Sequence, residues 1–265
     1  MTTTVQVTAD AARLIAYGLR PKLVPARDDV YRSLVLRART DDEFIAAVQA
    51  VASGLDLVVL EISERSGIVV GSVEDSVFAV KMTDYARRTG GEGKAAERVL
   101  HALAHLGAAT LAFPRPADLA NETYLGRISV DGVDAFVREA ASRLAERAAE
   151  SDSGDTAVDQ PGLESAWHAY TRRARTGSTG DGRALTSSTT GIVGKALTFL
   201  ADQGLLVRTG TDRRGTFRTT PRYRVQVREA GVVMFDELLR LGITEISDGS
   251  ATIAVGWTAE SLTEL

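Results

Sequence analysis

Arginine is the side chain whose type and spacing point most directly to a chemical role in this sequence. Seven arginines lie within residues 208–228, RTGTDRRGTFRTTPRYRVQVR. A guanidinium is permanently charged and presents a planar fork of N–H donors that fits phosphate and carboxylate oxygens. The chain as a whole carries a formal net charge of −4. A dense cluster of cations in an acidic protein indicates a surface that binds a polyanion.

The positive charge is concentrated in one part of the chain. Residues 161–228 contain 12 Lys and Arg against 4 Asp and Glu, which leaves 19 basic and 31 acidic residues elsewhere. The local balance is therefore +8, and the balance of the remainder is −12. This asymmetry predicts a polyanion-binding module within an acidic protein, and duplex DNA is the partner that we expect.

Other patterns that could carry chemistry each lack a necessary part. GGEGK at 90–94 is similar to the end of a phosphate-binding P-loop, but Ala95 stands where that loop needs Ser or Thr. His101 and His105 have the spacing of two metal ligands on a helix, but Ala102 replaces the zincin glutamate. Three histidines and no cysteine leave little from which to build a nucleophilic triad. We therefore predict a protein that is not an enzyme and needs no cofactor.

Two kinds of periodicity predict the elements that position the arginines. Residues 163–174 and the stretch TSSTTGIVGKALTFLADQG at 186–204 have apolar side chains at helical spacing, and Gly204 stands where a C-terminal cap belongs. LLVRT at 205–209 predicts a short strand, and PRYRVQVR at 221–228 alternates as a second strand would. Helices followed by a hairpin with a basic tip are the order of a winged helix.

The predicted DNA-contacting surface combines this hairpin with the helix before it. The first turns of that helix offer hydroxyls and one lysine, without the Asn, Gln or Arg that pair with base edges. We therefore expect backbone binding with little sequence preference. An alternative is that the arginines form ion pairs with the acidic remainder of the chain. The residues predicted to bind DNA are Arg183, Lys195, Arg208, Arg213, Arg214, Arg218, Arg222 and Arg224.

A similar pattern occurs in the first half of the chain. LHALAHLGAATLAF at 100–113 aligns without a gap with LTFLADQGLLVRTG at 197–210, and Gly107 matches Gly204. The match predicts a helix that ends at Gly107, followed by a first hairpin within residues 111–130, whose mixed charges give it no preference for phosphate. Residues 29–71 predict two helices and then a strand pair. We expect a mainly α fold with small β-hairpins, arranged as two tandem winged-helix domains.

Composition predicts the domain boundaries. ESDSGDTAVDQPG at 150–162 is small, polar and acidic, so it is expected to be a short acidic linker. The expected units are an N-terminal arm at 1–28, a dimerising or partner-binding winged helix at 29–149, a DNA-contacting winged helix at 163–228, and a C-terminal helix and tail at 229–265. Without a leader pattern or about eighteen consecutive apolar residues, we expect a cytoplasmic, nucleoid-associated protein that does not contact a membrane.

In this layout the chain resembles the MukE and MksE type of subunit, and more broadly the kite group of tandem winged-helix proteins that accompany bacterial SMC, or condensin-like, complexes. Residues 29–71, DVYRSLVLRARTDDEFIAAVQAVASGLDLVVLEISERSGIVVG, are similar to the opening helices, Gly-Leu-x-Leu strand and short hairpin of that family. The resemblance implies a homodimer that binds a kleisin-like subunit and helps an SMC-type ATPase in a partner chain to hold or move DNA, in chromosome segregation or plasmid defence. Residues 1–27 and 246–265 have no family counterpart and are expected to order on assembly.

Two other functions remain open at this point. A winged-helix transcriptional regulator would use the first domain for dimerisation and would bind one operator at least about a thousandfold more tightly than random duplex. A protein-binding scaffold would use the arginines against an acidic partner, and it would not bind duplex DNA even at low salt.

Overall fold

The computed structural model describes residues 4–20, 22–73, 75–80, 94–151, 168, 170–176, 188–210 and 215–240. Over these residues the fold is mainly helical with two small antiparallel sheets, in agreement with the predicted mainly α fold with small β-hairpins. Two separate clusters of buried apolar side chains divide it into an N-terminal unit and a C-terminal unit.

The N-terminal unit consists of three helices followed by a hairpin. Asp28 and Asp41 cap the second and third helices by accepting hydrogen bonds from the backbone N–H groups of Tyr31 and Phe44. Tyr31 and Phe44 are themselves fully buried, so each cap fixes the backbone of a residue whose side chain fills the core. The elements are α1 (Thr4–Gly18), α2 (Asp29–Ala38), α3 (Asp42–Gly54), β1 (Leu57–Ser63) and β2 (Gly67–Ser72).

The C-terminal unit packs helices against a three-stranded antiparallel sheet in the order β3-β5-β4. Its core joins apolar side chains of four helices to Ile128, Leu206 and Phe217 on the three strands. The elements are α4 (Lys94–Ala112), α5 (Pro116–Ala120), β3 (Arg127–Ser129), α6 (Val130–Ser151), α7 (Thr189–Asp202), β4 (Leu206–Thr209), β5 (Thr216–Thr219) and α8 (Pro221–Arg240).

Several predicted elements agree with the structure. The two helices and the strand pair within residues 29–71 correspond to α2, α3, β1 and β2. The helix predicted within residues 186–204 corresponds to α7, and the strand predicted at 205–209 corresponds to β4. Gly204 has a φ of +67°, the left-handed conformation expected after a helix C-terminus.

The strand predicted at 221–228 is wrong, because these residues begin the helix α8. Pro221 occupies the first helical turn, where its missing N–H costs nothing, and the backbone N–H of Arg224 donates to the Thr220 carbonyl. The first turns of α8 lie between the two units and are buried from Arg222 to Val225. A helix buried on more than one side can carry apolar and polar residues in alternation, which is the pattern that indicated a strand.

The first hairpin, predicted within residues 111–130, is also wrong. The helix α4 continues through Gly107 to Ala112, and β3 pairs with β5 of the basic hairpin. A Cβ at Gly107 would lie 2.6 Å from the Val137 side chain, so this glycine allows α4 and α6 to approach closely. The glycine that indicated a helix end therefore has a packing role inside the helix.

The N-terminal arm predicted at 1–28 is a further correction. Val7, Ala11, Leu14 and Ile15 on α1 are buried in the first core, at the spacing of one helical face. The expected boundary at 29 therefore cuts through a packed unit. The linker predicted at 150–162 begins at the end of α6, and its remaining residues lie outside the described part of the chain, as does the tail from 241 onward.

Candidate nucleic-acid interface

The helix α7 is the central element of the candidate interface. Its buried face consists of Ile192, Val193, Ala196, Leu197 and Leu200. The opposite face carries half-buried Lys195 and exposed Thr198. Ser188 caps the helix by accepting a hydrogen bond from the Gly191 N–H.

A buried polar cluster holds the start of α7 against the preceding segment. The fully buried carboxylate of Asp134 accepts a hydrogen bond of 2.9 Å from the Tyr170 hydroxyl, and Nε of Arg175 lies 3.1 Å from its other oxygen. Arg138 donates to the Thr189 hydroxyl at 2.8 Å. Burial, followed by the Asp134 charge, raises the pKa of Tyr170, so its phenol stays protonated and donates to the carboxylate.

Arg208 joins the hairpin to α7. Its guanidinium lies over the Phe217 ring, 5.1 Å from the centroid, and Nη2 is 3.4 Å from the Thr198 hydroxyl oxygen. Phe217 lies opposite Arg208 in the β4-β5 register, on the face of the sheet that covers the core. The side chain of Arg208 is nevertheless exposed, because β4 is an edge strand. Arg208, Thr198 and Lys195 therefore belong to one side of the unit.

Arg218 lies on the opposite face of the same sheet. It is exposed and stands directly opposite Arg127 of β3 and Val207 of β4. Because residues opposite each other in an antiparallel pair share a face, these side chains project away from α7. The predicted hairpin surface therefore has two basic sides, with Arg208 on one and Arg218 on the other.

Arg222 and Arg224 do not belong to either basic side. Their relative exposures are 8% and 3%, too little for contact with a DNA backbone in this conformation. Arg222 donates to the carbonyls of Gly18 and Arg20 at the end of α1. Arg224 donates to the Leu119 carbonyl at 3.0 Å and to the Glu61 carboxylate at 3.2 Å.

These two arginines therefore connect the two units. Arg228 adds a second cation 3.3 Å from Glu61, and the Gln226 side chain donates to the Val70 carbonyl. Burial lowers the pKa of the Arg222 guanidinium, and the nearby Tyr31 hydroxyl partly opposes this effect. For Arg222 and Arg224, the alternative that the arginines make contacts within the protein therefore applies.

The remaining predicted DNA-binding residues, Arg183, Arg213 and Arg214, lie outside the described part of the chain. Arg127 is a further basic residue of the three-stranded sheet. The sequence pattern assigned this residue to a separate first hairpin that has no preference for phosphate. Its alternation with buried Ile128 was a sign of a half-exposed strand, but a three-residue strand does not reveal its partner.

Within the described residues, none of the ion pairs involves Arg127, Lys195, Arg208 or Arg218. All four cations are exposed or half-buried, so an external anion can reach them, and the hydroxyl of Thr198 adds a polar group beside Arg208 on the α7 side. Arginine, lysine and threonine are side chains that commonly contact phosphate oxygens.

The histidine pair contributes to packing. His101 is fully buried in α4, and His105 lies edge-on to Phe199 at a centroid distance of 6.1 Å. The described ranges contain no group of three or more His, Asp or Glu arranged to hold a metal ion. Nor do the helices in those ranges reach the length and apolar content that a membrane span needs.

Comparison with models of protein families, with curated proteins and with solved structures found no match to this chain.

Proposed function

We propose that this chain is a non-enzymatic subunit that binds the backbone of duplex DNA with little sequence preference. The observation that carries the proposal is the position of Arg208, which links the β4-β5 hairpin to the exposed face of α7 beside Thr198 and Lys195. These groups offer charge and hydroxyl donors to phosphate, and the face lacks the Asn, Gln or Arg on α7 that would read bases.

The element order supports a winged-helix interpretation of both units. The N-terminal unit has three helices and then a hairpin. The C-terminal unit has α4, the short strand β3, α6, a helical segment around Tyr170, α7 and the β4-β5 hairpin, with β3 on the outer side of β5. In a winged helix, the helix before the hairpin is the one that enters or approaches the groove. Here that helix is α7.

The proposal includes an obligate protein partner. The resemblance of residues 29–71 to kite subunits favours a homodimer that binds a kleisin-like protein and an SMC-type ATPase. Co-purification of the tagged chain from its own host, followed by mass spectrometry, tests this part. Recovery of a long coiled-coil ATPase supports it, whereas recovery of the chain without such an ATPase contradicts it.

The DNA-binding proposal is tested by titrating the protein into labelled random duplex at about 50 and 200 mM salt. We expect the association constant to fall steeply with salt, and to fall at least about tenfold at low salt in Arg208→Glu and in the Arg213→Glu, Arg214→Glu, Arg218→Glu triple variant. Arg143→Glu is the matched control, because its side chain is 71% exposed on α6 and pairs with Glu139. Unchanged binding in both test variants would exclude the proposed surface.

Two other results distinguish the alternative functions. One operator bound at least about a thousandfold more tightly than random duplex would identify a transcriptional regulator. The absence of duplex binding at both salt concentrations would favour a protein-binding scaffold.

A further inference from the structure

The outward face of the three-stranded sheet carries a second cationic surface, distinct from the side formed by α7 and Arg208. We call it the outer sheet face. The strand registers place six residues on it: Arg127, Ser129, Val207, Thr209, Thr216 and Arg218. Two are arginines, three carry hydroxyls and none is acidic. The face is therefore positively charged.

Arg127 and Arg218 are directly opposite each other across β3 and β5. Like charges in this position repel each other and destabilise a sheet. Both side chains are exposed, and neither takes part in the described ion pairs. An anion placed between them would remove the repulsion and accept hydrogen bonds from both guanidiniums.

A cavity of about 120 Å³ adjoins this face where the two units meet. Arg65, from the turn between β1 and β2, lines one part of it, and Arg218, Thr219 and Thr220 line another. One Nη of Arg65 donates to the Glu122 carbonyl at 3.0 Å, which fixes the guanidinium at the cavity. The cavity is several times larger than the roughly 10–15 Å³ that one water requires. The two units therefore each contribute one arginine to the lining of this cavity.

We propose that this cavity and the outer sheet face bind a phosphate group, with Arg65, Arg127 and Arg218 as its ligands. The inference rests on the proposed function only for the source of the phosphate, which is then the backbone of the bound duplex. It adds a contact from the N-terminal unit, so the duplex is held by both units. Glu122 also lines the cavity, and its negative charge weakens the binding of an anion.

The test compares Arg65→Gln, Arg127→Gln and Glu122→Gln with wild type, using labelled duplex DNA as one probe and inorganic tripolyphosphate as a second. Each arginine variant is expected to lower the duplex association constant about tenfold at low salt and to reduce the slope of log K against log salt by about 0.9. Glu122→Gln is expected to raise the constant about threefold, because it removes a repulsive charge. Arg143→Gln changes an exposed side chain on α6, so it should change neither the association constant nor the salt slope.

The outcomes separate the two proposals. Duplex binding that depends on Arg208 but is unchanged in Arg65→Gln, Arg127→Gln and Glu122→Gln overturns the phosphate site and leaves the DNA proposal standing. Tripolyphosphate binding that requires Arg65 and Arg127, in a protein that does not bind duplex, supports the site and contradicts the DNA proposal. Failure to bind either probe overturns both. Thermal unfolding checks each variant, and Arg127→Gln and Glu122→Gln keep the test valid if loss of the Arg65 bond unfolds the protein.

Discussion

Arg224 and Glu61 are 163 residues apart in sequence and form an ion pair with an Nη2–Oε2 distance of 3.2 Å. Their side chains are 4% and 16% exposed, so the pair is shielded from water at the junction of the two units. Arg224, which the sequence pattern assigns to a DNA-binding surface, therefore forms a structural contact between the C-terminal unit and the N-terminal unit.

Replacing Glu61 by Ala should strongly destabilise the protein. The change leaves Arg224 buried without its carboxylate, and breaking a buried pair costs about 3–5 kcal/mol. Chemical denaturation measures the free energy of unfolding. Glu139→Ala is the matched control, because its partner Arg143 is exposed and such surface pairs contribute about 0–1 kcal/mol. Equal losses in the two variants would contradict the structural role of the Glu61 pair.

Replacing Arg222 by Met should loosen the contact between α8 and the end of α1. The variant keeps an unbranched apolar side chain but removes the donors to the Gly18 and Arg20 carbonyls. We expect a loss of about 1–3 kcal/mol, measured by denaturation, because buried carbonyls lose their partners. Arg20→Met changes an exposed side chain nearby and should have little effect. Retention of wild-type stability in Arg222→Met would show that this contact is dispensable.

Gly67→Ala should disrupt the N-terminal unit. Gly67 has a φ of +71°, and a Cβ there would lie 1.9 Å from the Tyr31 hydroxyl oxygen. That hydroxyl accepts a hydrogen bond from the Ile68 N–H, so it cannot withdraw without breaking the contact. A loss above about 3 kcal/mol is expected. Gly54→Ala is the control, since a Cβ there meets nothing within 4 Å, and a tolerated Gly67→Ala would refute the tight contact.

The stability of the C-terminal unit should depend on pH through His105. Burial, with the neighbouring His101 as the smaller cause, lowers the pKa of His105 from 6.5 to about 4. Between about pH 4 and pH 6.5, His105 therefore carries a proton in the unfolded chain but not in the folded chain. The contribution of this group to stability is fully present above pH 6.5 and is lost progressively as the pH falls from 6.5 to 4, by at most about 3 kcal/mol.

His105→Phe tests this dependence, because it keeps an aromatic ring against Phe199 and removes the titrating group. The measured quantity is the difference in the free energy of unfolding between the wild type and the variant at pH 7 and at pH 4.5. Because the two proteins have the same carboxyl groups, the contribution of those groups to the pH dependence cancels in this difference. A difference that stays constant between the two pH values would contradict the predicted shift.

Local sequence signals correctly predicted the elements that pack against a single core. The helices α2, α3 and α7 have one apolar face, and their caps are polar residues or a glycine at the expected ends. The hairpin β1-β2 has a short turn between apolar strands. The spacing of Val7, Ala11, Leu14 and Ile15 is also a detectable helical signal for α1, although residues 1–28 were interpreted as an arm.

Elements that depend on distant partners were not predictable in the same way. The short strand β3 is defined by its pairing with β5, and a three-residue segment does not specify that pairing. The start of α8 contacts two units, so its alternation of arginine with apolar residues reflects two sets of neighbours. For the candidate site, residue type correctly indicated the excess of positive charge. The division of the arginines between solvent and the unit junction depends on the tertiary fold.

The pairing of β3 with β5 also bears on how the chain folds. The Gly126 N–H donates to the hydroxyl of Thr219, 93 residues away, so the sheet closes a long loop. Closing such a loop costs chain entropy before its contacts form, and folds rich in distant pairings fold slowly. On the ribosome, the contacts within the first 72 residues can form early, whereas the three-stranded sheet must wait until β5 has been synthesised. The first turn of α8 follows β5 immediately and brings Arg222 to the end of α1, so completion of the sheet and joining of the two units belong to the same late stage of folding.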